Sequence, residues 1–345
     1  MNSIVVDKAG LLTTIQDSGR QGMRHLGIPW SGSLVPFWQK MANALVGNTL
    51  DNSVIECFEG GLAFTVGNAP ARIAIVADKQ ATISVINDSS KEALSAYRSH
   101  TIMPGDQVLI NNTGNSRLAI IAIAGLDVEK QLGSTSTYSK AGIGGLTGGP
   151  LKVGDALPIG TEPTGPHKQC EPNTLPDYQS TEIRVVLGPQ DQNFSQAGIS
   201  TFLESDYTLS TDVDRMGARL DGNVIEHLND QARDPVSDAI VPGSIQVPGS
   251  GLPIVLLSDA HTAGGYPKIA TVLSIDLPLF GLQRSGAVFR FKALSIDEAI
   301  ETTRAQHQSL SRALAAITSV IDNTINSELL LKLNLIDGVI DGRES

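Results

Sequence analysis

Three segments in the first half of this 345-residue chain recur in the same order in the second half. Asp17-Ser-Gly-Arg20-Gln-Gly22-Met-Arg24 and Asp212-Val-Asp-Arg215-Met-Gly217-Ala-Arg219 share the pattern D-x-x-R-x-G-x-R, 195 residues apart. The run ending at Asp78 (GGLAFTVGNAPARIAIVAD) parallels the run ending at Asp259 (PGSIQVPGSGLPIVLLSD), and MPGDQVLI around Gly105 parallels RSGAVFRF around Gly286, both 181 residues apart. Two copies at so long a spacing indicate a duplicated domain, since a solenoid needs several short repeats.

The repeated unit is β in character. Short apolar runs such as SIVVD, QVLINN, RLAIIAIA, EIRVVLG and AVFRF are bounded by Gly, Pro, Asn and Asp turns, the pattern of an all-β domain and not of βαβ units. The expectation is a mainly β chain of two similar barrels or sandwiches: 1–160 first domain, 161–181 a linker rich in Pro, Gly and polar residues, 182–294 second domain, 295–345 a helical tail. Two helices are expected. Pro36–Val46 has helical apolar spacing, with Pro in the first turn and Gly47-Asn48 as a stop. The segment after Ser295 opens on a Ser cap with acidic residues behind it. The final SELLLKLNLIDGVID is apolar enough to pack on something, a second copy of the chain included.

Lys and Arg total 25 against 36 Asp and Glu, a formal net charge of −11. That sign repels nucleic acid and anionic lipid, and no basic run offsets it. No stretch is long and apolar enough to span a bilayer, and the start carries no secretory pattern. Cys57 and Cys170 stand far apart, neither a disulfide framework nor a metal pattern. A soluble cytoplasmic protein with no metal is expected.

Three stretches carry chemistry-bearing side chains. The D-x-x-R-x-G-x-R elements set guanidinium groups beside a carboxylate, which suits either an anion clamp at Arg20 or Arg215 or a structural Asp–Arg pair pinning a turn. Gln246-Val-Pro248 and Asp259-Ala-His261-Thr262-Ala-Gly264-Gly265-Tyr266-Pro267-Lys268 place polar groups and glycines at the end of a strand, where a ligand is able to approach backbone closely. The alternative there is a well-made loop with Asp259 capping a turn. The Gly- and hydroxyl-rich segment 132–151 reads either as a phosphate cradle or as a flexible surface loop; it lacks Walker spacing.

The ordered set Gly10-Leu11, Gln16-Asp17-Ser-Gly19-Arg20-Gln-Gly22, Ser31-Gly32, Ala42-Asn43, Val46-Gly47-Asn48 and Glu56, followed by Gly188-Pro189-Gln190, Asp214-Arg215-Met216-Gly217, Gly243-Ser-Ile-Gln246-Val-Pro248 and Thr262-Ala-Gly264-Gly265-Tyr266-Pro267, resembles the family of biotin-dependent carboxyltransferases and 5-oxoprolinase C subunits over about residues 4–293. That family is also called allophanate hydrolase subunit 2, and it is similar to the carboxyltransferase region of urea carboxylase. The resemblance implies two tandem cyclophilin-like β-barrels. It also implies partnership with a B-type and an A-type protein, in an enzyme that opens 5-oxoproline to glutamate at the expense of ATP or carboxylates a related amide or urea. No biotinylation motif or nucleotide-grasping domain is evident, so ATP, and any biotin, belongs to a partner chain. In this frame Asp259, Arg215 and Thr262 carry the reaction on a small amide or lactam, and Gln16, Asp17, Arg20, Asn43, Gln246, Gly264, Gly265 and Tyr266 bind the substrate. Val35, Thr135, Gly149, His261 and Ala287 stand where the family pattern has an acid, two arginines, a glutamine and an acid. Val35, Thr135 and Gly149 motivate a second reading, a non-catalytic regulatory chain that grips a B-type, kinase-inhibitor-like protein. A prolyl isomerase would rest on architecture alone.

Overall fold

A computed structural model describes residues 2–160, 165–171 and 178–320. In the first half the strands are β1 (Asn2–Ala9), β2 (Leu12–Gln16), β3 (Val54–Phe58), β4 (Leu62–Val66), β5 (Ala71–Val76), β6 (Thr82–Ile86), β7 (Lys91–Ala93), β8 (Ser99–Ile102), β9 (Gln107–Asn112), β10 (Leu118–Ile123) and β11 (Ala156–Ile159). They form a six-stranded sheet, β11-β1-β4-β9-β6-β7, and a five-stranded sheet, β2-β3-β10-β5-β8. One core lies between the sheets, with Ile4, Phe64 and Val108 from the first meeting Ile15, Ile55, Ile73 and Ile121 from the second. Because side chains alternate across a strand, Val54, Phe58, Val76, Leu118 and Ile120 leave the five-stranded sheet on its other face. There they meet α1 (Pro36–Val46), whose Trp38, Met41 and Leu45 are buried. This helix ends at Gly47, φ 86°, as the sequence indicates.

A two-residue strand, β12 (Lys168–Gln169), follows within the stretch read as a linker. The second half contributes β13 (Glu182–Leu187), β14 (Asp206–Val213), β15 (Gly217–Asp221), β16 (Asp238–Ala239), β17 (Ser244–Gln246), β18 (Ile254–Leu256), β19 (Ala263–Gly264), β20 (Lys268–Val272) and β21 (Val288–Ala293). Seven of these close into a barrel, β13-β20-β17-β18-β15-β14-β21, and β16 and β19 form a ribbon beside it. At the 181-residue offset β4, β5 and β9 fall on β17, β18 and β21, so the duplication is visible in the strands. The halves differ in closure. β10, buried on both faces, inserts between β3 and β5, and its counterpart position in the second half is helical.

Two short helices that the apolar pattern did not single out, α2 (Gln196–Glu204) and α3 (Leu277–Leu282), pack on the barrel. The long α4 (Ile296–Ala315) begins with a full capping box between Ser295 and Glu298, as its opening residues suggest. After it β22 (Thr318–Ser319) pairs with β12, and Cys170 is buried in the core. Part of the expected linker is therefore packed structure. The apolar segment after Ser327 lies outside the described residues. Among the described residues no helix is long and apolar enough to cross a membrane.

The two halves share one continuous core that runs from α1 and the outer face of the five-stranded sheet into the barrel. Three arginines cross the seam above it. Arg24 donates to the Ile240 carbonyl and, at 2.9 Å, to that of His261. Arg284 pairs with Glu59 and donates to the Gly114 and Ser116 carbonyls at 3.0 Å each. Arg215 is the third.

Candidate functional site

Arg215 sits in the β14–β15 turn, where the Asp214 carboxylate accepts from the amides of Met216 (2.7 Å) and Gly217 (3.1 Å). The turn aims its side chain into the seam, where only 5% of the residue is exposed. Its Nε and Nη2 donate to the two oxygens of Asp259 at 3.0 and 3.2 Å, and Nη2 also donates to the Gly32 carbonyl at 2.6 Å. Nη1 donates to Glu56 of β3. Strand alternation puts Glu56 on the same face as Val54 and Phe58, toward the second half, and the residue is fully buried. Its other oxygen accepts from the Leu34 amide (2.9 Å) and Ser33 Oγ (3.2 Å). Burial opposes the charge on Arg215, but Asp259 and Glu56 outweigh it and raise its pKa. A duplicated Asp–Arg pair suggested Asp212 as the carboxylate for this arginine. The structure corrects that: Asp212 is exposed and pairs with Arg219 at 2.6 Å, while Asp259, 44 positions on, holds Arg215.

The first-half copy of the motif is built differently. Asp17 accepts from Ser134 Oγ (2.5 Å), Ser136 Oγ (2.6 Å), the Thr135 amide (2.8 Å) and the Gly19 amide (2.8 Å). Burial pushes its pKa up, and these four hydrogen bonds overcome that and hold it below the ordinary carboxylate range. Arg20 lies 1% exposed beside it, donating from Nε to the Gln131 carbonyl (3.2 Å) and from Nη2 to the Ser136 carbonyl (2.5 Å). Its Nη1 is buried without a partner among the described residues. The Gly-rich segment is neither a phosphate cradle nor a loose loop. The amides of Gly144, Gly145 and Gly148 donate to Gln131 Oε1, the Thr135 carbonyl and the Gly144 carbonyl, so they are spent on folding it over Asp17 and Arg20.

The open part of the site is a cavity of about 350 Å³ at the barrel mouth. Gln246, His261, Gly264, Gly265 and Tyr266 line it from the second half, and Lys140 reaches it from the Gly-rich segment. Gln246 Nε2 donates to the Tyr266 carbonyl at 3.3 Å. A Cβ at Gly264 would stand 2.6 Å from that nitrogen, so the glycine makes room for the amide. Tyr266 is 44% exposed at the mouth; the charged lining is mixed, with Asp212 paired to Arg219 at 2.6 Å and with Asp214 and Lys140 beside them. Such a surface offers N–H donors to a carbonyl or carboxylate and a ring face to a small planar molecule.

The model of the carboxyltransferase domain, subdomain A and B, matches residues 26–293. The chain belongs to that family. Among curated proteins it is 32% identical over 312 residues to the 5-oxoprolinase C subunit of Escherichia coli, covering 87% of this chain and 94% of that one. It is 31% identical to the Haemophilus influenzae protein of the same name, covering 84% and 91%. Among solved structures it is similar to the Kluyveromyces lactis urea amidolyase, TM-score 0.81 at 23% identity, over 90% of this chain and 20% of that one. The last likeness concerns the fold.

Within the carboxyltransferase frame the expected site residues fall into two groups. Gln246, Gly264, Gly265 and Tyr266 share the barrel-mouth cavity. Asp259, Arg20 and Arg215 lie in the seam behind it, and Asp17 is close enough to Arg20 to act on its charge. Gln16 and Asn43 do not line the cavity, and their amides are bonded elsewhere. Gln16 Nε2 donates to Thr14 Oγ1 (3.0 Å) and the Thr137 carbonyl (3.2 Å), and Asn43 Nδ2 to the Asn52 carbonyl (2.8 Å) after α1. The backbone carbonyl of Thr262 accepts from the Ile240 amide at 3.2 Å, on the ribbon that borders the cavity. Lys268, at the end of the same stretch, is buried and bound to Asp238 at 2.8 Å. Sequence reasoning missed Lys140, which carries no motif, and treated Glu56 only as part of a signature. Val35 and Thr135 are buried without charge, Thr135 Oγ1 lying 2.8 Å from Ser53 Oγ. Burial pushes the Cys57 thiol up to about 11, which disqualifies it as a nucleophile near neutral pH.

Proposed function

We propose that this chain is one component of an ATP-dependent amide-processing enzyme of the 5-oxoprolinase type, acting on 5-oxoproline or a close lactam or urea relative. The observation that carries the reading is similarity along nearly the full length of two bacterial 5-oxoprolinase C subunits. The barrel-mouth cavity is the substrate site of this proposal. Gln246 and the peptide groups around Gly264 and Gly265 orient the substrate amide, Tyr266 covers the ring, and Lys140 faces its carboxylate. Arg215 acts as a positioning residue. It holds Asp259 in the seam and thereby fixes the strand end that carries Ala260 and His261 into the cavity. The amides of Gly144, Gly145 and Gly148 in the Gly-rich segment are bonded within the protein, which disfavours a nucleotide there, so ATP binds on an A-type or B-type partner. Any biotin belongs on a partner as well.

The test is reconstitution with A-type and B-type partner chains from the same organism, assayed for ATP-dependent release of glutamate from 5-oxoproline. Glutamate release that Gln246→Leu lowers by about tenfold or more supports the reading; no release from any reconstituted complex refutes it. A second reading, a regulatory chain gripping a kinase-inhibitor-like partner, draws on uncharged, buried Val35 and Thr135. It predicts tight complex formation without turnover, and no gain of activity in Gly149→Arg.

A further inference from the structure

A second cavity, of about 320 Å³, opens where the start of α1 meets the second half. Ser31, Gln39, Lys40 and Asp51 line it from one side, Leu277 and Pro278 from the other. The substrate reading above uses none of them. Two of these residues end in buried oxygens with no hydrogen-bond partner among the described residues, Ser31 Oγ and Gln39 Oε1. The residues are 6% and 0% exposed. A buried acceptor left in that state costs about 1–3 kcal/mol.

The orientation of the Gln39 amide is fixed by its surroundings. Nε2 donates to the Asn52 carbonyl at 3.2 Å and to Ser18 Oγ at 3.3 Å. Ser18 spends its own proton on Asp51 Oδ1 at 2.7 Å. Turning the amide over would set its oxygen against the Asn52 carbonyl, so Oε1 is the acceptor left unpaired. Ser31 is held by its backbone, with φ 55° and its amide donating to the Ser258 carbonyl at 3.0 Å. The same side of the cavity also carries the opposite polarity. Lys40 is half-buried beside the first turn of α1, whose N-cap Val35 supplies no side-chain cap. The positive end of the helix and the ammonium group both favour an anion there.

We propose that this cavity binds a small zwitterion of the amino-acid class. Its ammonium group donates to Gln39 Oε1, with Ser31 Oγ and Asp51 alongside. Its carboxylate faces Lys40 and the start of α1, and a short side chain lies against Leu277 and Pro278. The volume equals about ten waters, which suits a ligand of that many heavy atoms. The site is separate from the barrel mouth and stands whether or not the 5-oxoprolinase reading holds.

Titration calorimetry on the full chain alone, without partners or ATP, tests it with four probes: glycine, glutamate, acetate and methylamine. The expected result is saturable one-to-one binding of glycine or glutamate, with acetate and methylamine about tenfold weaker or less tightly bound still. Lys40→Met and Gln39→Leu each weaken binding by about tenfold or more, and Tyr266→Ala at the barrel mouth leaves it intact. Lys40 lies on the half-buried rim of α1 and not in its buried face, so that variant decides the matter if Gln39→Leu fails to fold. The proposal is overturned by the absence of saturable binding of either amino acid up to about 10 mM. Acetate binding as tightly as the amino acids, or loss of binding in Tyr266→Ala, overturns it equally.

Discussion

Arg215 spends four hydrogen bonds inside the protein, three of them on buried carboxylates. Removing one partner of such a cluster strands the other charges, at a cost of about 3–5 kcal/mol. Arg215→Met is therefore expected to lower unfolding free energy by that amount, read from urea denaturation; a change under about 1 kcal/mol would show the cluster to be dispensable. Asp17 gives a pH dependence. Its pKa is depressed in the folded state, so its contribution is complete above the unfolded value of about 3.9 and is lost as pH falls below it. Asp17→Asn should be less stable than the wild type at pH 7. The two stability curves should converge in the acid range below about pH 4, as thermal melts across pH would show. The sequence pointed to these residues as a set but did not assign their partners. Asp212 and Asp259 are equally plausible carboxylates along the chain, and only the β18 strand end brings Asp259 to the guanidinium.

At the scale of elements, the Gly-rich segment separates a glycine the fold requires from one it does not. A Cβ at Gly144, where φ is +72°, would collide with the Ser136 carbonyl and Arg20 Nη2. Gly144→Ala should cost well over 1 kcal/mol, roughly more than the usual penalty for a strained backbone alone. A Cβ at Gly149 meets nothing within 4 Å, and Gly149→Ala should stay within about 0.5 kcal/mol of the wild type by thermal melt. Composition made this segment look loose because glycine and hydroxyl residues are common in mobile loops. Its order comes from partners far away in sequence, Asp17 above all. The regular elements were easier to read. α1 and α4 carry their own start and stop signals in Pro36, Gly47 and the Ser295–Glu298 box, whereas six-residue α3, LPLFGL, is too short and too uniformly apolar to show a period.

At the scale of the whole molecule, one core and three arginines join the halves. Calorimetry of the isolated chain should give a single cooperative unfolding transition; two well-separated transitions would mean that the halves are energetically independent. The sequence by itself determined the mainly β class, the duplication and the helix ends, because periodicity, turn residues and caps act over a few positions. The residues that gather at the barrel mouth were legible for the same reason: Gly264, Gly265 and Tyr266 are neighbours in the chain. Only the tertiary structure decided how the two copies diverged, one into facing sheets around β10 and one into a closed barrel. It also decided that Glu56 and Arg215, 159 positions apart, meet in the seam. Which faces bury each other is a matter of long-range packing, and no local pattern records it.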